Sequence, residues 1–129
     1  MPHQNLQRYV NVSEEEGLSI VVLSGPREKE RIIAEARYMF EPDQQFADVA
    51  FMVDEAFHGQ GIATFLLKHM IEIAKEKGVK GFKADVLDSN VPMIAVFDKL
   101  PYVQHRQLGG GEISLKFEFD ELKENSRPA

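Results

Sequence analysis

The sequence predicts a mixed α/β domain, a mostly antiparallel sheet carrying two main helices. Three observations lead there. Residues 62–77 repeat apolar side chains at helical spacing, with Ile62, Phe65, Leu66, Met70, Ile73 and Ala74 on one stripe and Thr64, Lys68, Glu72, Lys75 and Glu76 opposite. Segments near 18–23, 31–40, 46–53, 79–87, 102–108 and 112–119 are instead β-branched, aromatic or alternating. Glycine, proline and Asx turns separate them. The order strand, strand, strand, helix, strand, helix, strand, strand embeds one strand–helix–strand unit in an antiparallel meander.

Each element has a local reason. The first 17 residues are polar, lack a period and end in Glu14-Glu15-Glu16, so they read as a lead-in to a single domain over 18–120. Residues 18–23 are apolar and β-branched, a buried strand. Ser24-Gly25-Pro26 is turn chemistry. Residues 31–40 alternate, placing Ile32, Ala34, Ala36, Tyr38 and Phe40 on one face and Ile33, Glu35, Arg37 and Met39 on the other. The long helix stops at Gly78, a natural cap, with Lys75 and Lys77 near the negative end of its dipole. His69 flanks the apolar stripe as a boundary residue. Asn90 and Pro92 start a second helix over 93–100, with Met93, Val96, Phe97 and Leu100 inward. Gly109-Gly110-Gly111 joins the last two strands as a hairpin. From residue 121 the tail is polar and predicted to be disordered.

Composition narrows the function classes. At 129 residues, with 43% hydrophobic and 28% charged residues, one globular domain with a real core is expected. A net charge of −6 argues against a nucleic-acid partner and is compatible with a cationic one. The absence of cysteine excludes disulfides, thiolate metal sites and a cysteine nucleophile; no metal site is assigned. No apolar run is long enough for a bilayer and the N-terminus lacks a signal-peptide core, so no membrane partner is expected and the cytoplasm is the default location.

The chain is organised around residues 46–78: a buried strand, a turn from Asp54 to Phe57, the loop His58-Gly59-Gln60-Gly61 and the long helix. Two glycines let the backbone approach a ligand closely, and a helix start offers unpaired N–H groups to phosphate. A P-loop needs a Lys-Ser/Thr pair after its second glycine, where Ile62, Ala63 and Thr64 stand. A dinucleotide fingerprint needs a small residue at Thr64; Asp85 lies 24 residues past Gly61, near the place for its acidic partner. A strand-to-helix turn without ligand is the plain alternative.

A third pattern fits better. Phe57 to Leu67, with Gly61 and Ala63 in place, resembles the acetyl-CoA loop of the GNAT N-acetyltransferase superfamily, although His58 stands where that family carries Gln or Arg. The element order matches the GNAT core from its second strand onward. The stretch from Asp88 through Asn90, Phe97 and Tyr102 resembles the family's Asn–Phe–Gly-Phe helix and turn. Asn90-Val91-Pro92-Met93 and the glycine hairpin are similar to the acetyltransferase domain fused to acyl-CoA-synthetase-like modules in bacterial protein lysine acetyltransferases.

The resemblance implies a small-molecule acyl-CoA, acetyl-CoA as acetyl donor, and an amine acceptor such as protein lysine. Backbone of Phe51, Met52 and Val53 would pair with pantetheine, as a strand adds to an edge. Gly59, Gln60, Gly61, Ile62 and Ala63 would donate N–H groups to the pyrophosphate, Thr64 a hydroxyl, and His58 part of a charge. Asn90 and Phe97 would line the pantetheine arm. Asp48 matches the position where related enzymes carry a glutamate base, and is one methylene shorter; its other reading is a structural carboxylate. Tyr102 reads as core, Asp98 stands where many members have Tyr, and no general acid is assigned. The family normally places a strand and two helices before its second strand, where this sequence offers about 17 residues. The acceptor side is therefore expected to be open, with three readings: a homodimer partner completes the wall, the start is shortened, or the domain is a CoA-binding regulatory or interaction module without efficient turnover.

Overall fold

Alternation along the strands decides which side of the sheet is dry. A computed structural model describes residues 7–14, 17–41 and 45–124. Its elements are β1 (Gln7–Glu14), β2 (Gly17–Ser24), β3 (Arg31–Phe40), β4 (Phe46–Val53), α1 (Ile62–Glu76), β5 (Gly81–Leu87), α2 (Val91–Asp98), β6 (Tyr102–Gly109) and β7 (Glu112–Leu122). The strands form one sheet ordered β1-β2-β3-β4-β5-β7-β6, antiparallel except where β4 runs parallel to β5 across the α1 crossover.

Register brings the buried residues together. Leu18, Ile20 and Val22 stand opposite Tyr38, Ala36 and Ala34; Tyr38 meets Val49, Ala47 meets Phe82, and Phe82 meets Phe117. All are buried, so one face of the sheet is continuous core. Helix α1 lies on it through Ile62, Leu66, Leu67, Met70, Ile71 and Ala74, and α2 packs beside α1 with Phe97 against Phe51 and Phe117. The opposite face carries Glu35, Arg37, Met39, Asp48, Ala50, Met52, Asp85 and Lys116, and no described element covers it.

Four expectations need correction. Residues 7–14, read from the sequence as a polar lead-in, are a strand: they pair with β2 from Gln7↔Ser24 to Glu14↔Gly17, with residues 15 and 16 between the two strands. An edge strand needs little apolar pattern because one side meets water, and this one draws its order from pairing. No helix precedes β2 among the described residues. At the other end β7 continues through Glu121 and Leu122; residues 125–129 lie outside the described set. In β3 the alternation breaks: Ile32 is 57% exposed and Ile33 1%, because a register shift at Val22/Leu23 inserts one residue opposite β2. On α1 the buried stripe is rotated, taking in Leu67 and Ile71 and releasing Phe65 to the flank, where Tyr9 of β1 meets it.

Candidate functional site

The site starts where two strands part. Strand β5 pairs with β4 at Phe46, Ala47 and Asp48 and then diverges, whereas β3 follows β4 all the way to Val53. Lys80 N–H donates to the Gln45 carbonyl at 2.7 Å, so odd-numbered residues of β4 direct their peptide groups toward β5. Asp54 N–H donates to the Ile33 carbonyl at 2.7 Å, which likewise turns Val53 away from β3. Phe51 and Val53 therefore present peptide groups at an edge with no β5 rung beside them. That is the place expected for an added strand.

The loop that follows is held from below. Asp54 accepts from Ala56 N–H at 2.9 Å and from Arg31 Nη1 at 2.9 Å, and the two donors, the backbone amide first, hold its carboxyl below the usual range. The Arg31 guanidinium also sits 5.7 Å from the Phe57 ring centroid. Gly59 and Gly61 have φ +80, a left-handed geometry that favours glycine, and an added Cβ at either would meet nothing within 4 Å. Gly61 caps α1 with no side-chain hydrogen bond to its first turn, and Gly61 to Thr64 line an open groove. The mouth is not plugged.

Edge, loop and α2 enclose a groove of about 550 Å³, within the range of small-molecule sites. Phe51, Met52, Val53, His58, Gly59, Gly61, Ile62, Ala63, Thr64 and Asn90 line it, which brings together ten of the twelve binding residues expected from sequence. Asn90 also accepts from Met93 N–H at 3.3 Å, capping α2 while facing the groove. Met93 and Val96, which helical spacing placed on the inward face, and Lys99, which it did not, add a wall to the groove.

Two of the expected binding residues, Phe97 for the wall and Gln60 for the phosphate loop, do not line the groove. Phe97 is 0% exposed, its ring packed against Phe51 and Phe117; it holds the wall from behind, because residue 97 lies on the buried stripe of α2. Gln60 lines a second cavity of about 260 Å³ on the other side of the loop, with Arg8, Tyr9 and Phe65. His58 lines the groove, but its Nε2–H donates to the Val53 carbonyl at 2.9 Å, on the edge itself. The carbonyl only accepts, so this nitrogen carries the proton.

Asp48 occupies the last β4–β5 rung, opposite Met39 on one side and Lys83 on the other. It is exposed on the uncovered face, outside the groove lining. Partial burial, then the nearby Glu41, raises its pKa; Lys83 opposes this, and Asp85 adds to the rise. Lys83 is tied to Glu41 at 2.9 Å. Tyr102 is buried and stacked on Phe117 at 5.5 Å, a core residue, and Asp98 is paired with Arg106 at 2.6 Å.

Known proteins are similar to this chain in sequence and fold. The chain is 38% identical over 77 residues to Acetyltransferase Pat of Mycolicibacterium smegmatis, an alignment covering 59% of this chain and 23% of Pat. The GNAT domain of S. lividans PAT superposes with a TM-score of 0.67 at 30% identity, over 81% of this chain and 61% of that one. The IAA acetyltransferase of Bacillus cereus shares the fold, with a TM-score of 0.67 at 18% identity over 88% of this chain and 100% of its own. The chain thus spans under a quarter of Pat and under two thirds of the S. lividans domain. No described helix is long and apolar enough to cross a membrane. Residues 2–102 match the acetyltransferase (GNAT) family, and the chain belongs to it.

Proposed function

We propose that this chain is an N-acetyltransferase that moves an acetyl group from acetyl-CoA to a primary amine, with protein lysine the favoured acceptor and the cytoplasm its setting. One observation carries the reading: the open β4 edge at Phe51 and Val53 runs directly into the uncapped start of α1. Pantetheine amides pair with that edge, and the pyrophosphate takes N–H bonds from the Gly59–Ala63 loop and the Thr64 hydroxyl. To do so the donor displaces the His58 imidazole from the Val53 carbonyl.

The chemistry balances simply. A neutral amine attacks the thioester carbonyl carbon, the tetrahedral oxyanion is held by backbone N–H, and the C–S bond breaks. The amine proton passes to a base, and the CoA thiolate leaves and takes up a proton. Asp48 is the base in this reading, reaching the amine through a water because its side chain is short. Its raised pKa suits the role.

The second reading is a CoA-binding regulatory module without efficient turnover, and the uncovered face around Asp48 favours it. A second copy of the chain covering Met39 and Met52, 49% and 63% exposed on that face, would supply the wall and restore the first reading. Calorimetry with acetyl-CoA, then thiol release on amine acceptors for wild type and Asp48→Asn, separates them. Turnover that collapses in Asp48→Asn supports the transferase. Tight binding with no turnover on any acceptor supports the module, and no binding at all removes both.

A further inference from the structure

We propose that the outer edge of β1 is an interface between two copies of this chain, which pair β1 to β1 antiparallel about a two-fold axis at Asn11. The inference is independent of the donor reading. β1 is the outermost strand of the sheet, and no described strand lies beside it. Its hydrogen-bond phase follows from its neighbours. Asp54 N–H donates to the Ile33 carbonyl, so odd residues of β3 bond β4 and its even residues bond β2. The even residues of β2 are used there, and its odd residues bond the even residues of β1. The backbone N–H and C=O groups of Gln7, Tyr9, Asn11 and Ser13 are left facing outward, a row that another strand can join.

Sheets commonly protect such rows, and this one protects only its far edge. β6, the other outermost strand, has a register shift at Tyr102/Gln104 and carries His105 and Arg106, tied to Glu121 and Asp98. β1 has neither device. It pairs with β2 from end to end without a shift, contains no proline, and its single Lys or Arg, Arg8, is drawn to Glu30 at 2.7 Å. Apolar surface gathers here instead. Tyr9, Val12 and Phe65 are 46%, 45% and 45% exposed, and the Tyr9 ring meets Phe65 of α1 at 5.3 Å.

The strand itself names the occupant. Outward groups pair with outward groups, so odd residues face odd residues across the axis. With Asn11 facing Asn11 of the second copy, Tyr9 faces Ser13 and Val10 faces Val12, each contact occurring twice. Val10 and Val12 share the open face with Val21, and their close, non-hydrogen-bonded pairing sets the register. A two-fold interface uses one patch from both sides, which this spacing satisfies. Two sheets joined in this way keep both α1 helices on one side. Met39 and Met52 stay uncovered, so the contact differs from a copy walling the Asp48 face, and the β4 grooves, three strands away, stay open.

Sedimentation and amide hydrogen exchange on the full chain test the pairing. Wild type is expected to show a concentration-dependent monomer–dimer equilibrium, with the N–H groups of Tyr9 and Asn11 gaining protection as dimer forms. Asn11→Pro removes an outward donor and no β1–β2 bond, so it should be monomeric with an unchanged far-UV spectrum and a cooperative melt. Val12→Lys, which serves if the proline variant fails to fold, should weaken dimerisation at least about tenfold, whereas Met52→Lys should match wild type. A wild type that stays monomeric up to about 1 mM overturns the inference. So does a dimer that survives the β1 variants, or one lost in Met52→Lys instead.

Discussion

Two glycines at opposite ends of α1 offer a matched test of the site. Gly61 and Gly78 have φ of +80 and +82, and an added Cβ at either meets nothing within 4 Å. Alanine at each position should therefore cost the same left-handed strain, about 1–2 kcal/mol, with no steric term. At this chain length that is a fall in Tm of roughly 3–10 °C for both variants. Their surroundings differ. Gly61 lines both cavities, where its new methyl would occupy space that phosphate oxygens need; Gly78 lines neither. Each charge-assisted hydrogen bond lost costs about 1.5–3 kcal/mol, so Gly61→Ala should weaken CoA at least about tenfold. Gly78→Ala should bind like wild type. Paired thermal melts and calorimetry read both quantities. Equal losses of affinity, or none in either variant, would refute the claim that the loop grips a diphosphate.

Other outcomes follow from packing and charge. At Gly17 an added methyl collides with the Tyr38 carbonyl, so Gly17→Ala should lower urea stability by about 1–3 kcal/mol by forcing β2 and β3 apart. Phe97→Ala empties the space between Phe51 and Phe117, costing about 3–5 kcal/mol in chemical denaturation, and should also loosen the donor wall. Asp48 titrates with a raised pKa in the folded state, so its ionised form opposes folding above that pKa and its protonated form does not. Asp48→Asn should therefore raise Tm at neutral pH, and the gain should vanish as pH falls through the carboxylate range. Melts across pH check the sign; a Tm advantage that grows toward low pH would contradict it.

What this sequence determined alone is whatever neighbours along the chain decide. Short apolar runs marked β2 and β4, alternation marked β5 and β7, helical spacing marked α1 and α2, and two glycines before a helix start marked the loop. Those signals are local because backbone geometry repeats every two or 3.6 residues. Tertiary structure decided the rest. Residues 7–14 offer only Tyr9, Val10 and Val12 as strand formers among polar residues, and become β1 through pairing with β2. The register shift that buries Ile33 instead of Ile32 exists only against a partner strand. The parting of β4 and β5 after Asp48, which opens the groove, is a relation between two strands that neither segment encodes alone. The second cavity needs Tyr9 and Phe65, 56 positions apart in the sequence, on facing elements. Such features arise from distances between elements, and no periodicity within a single segment encodes them.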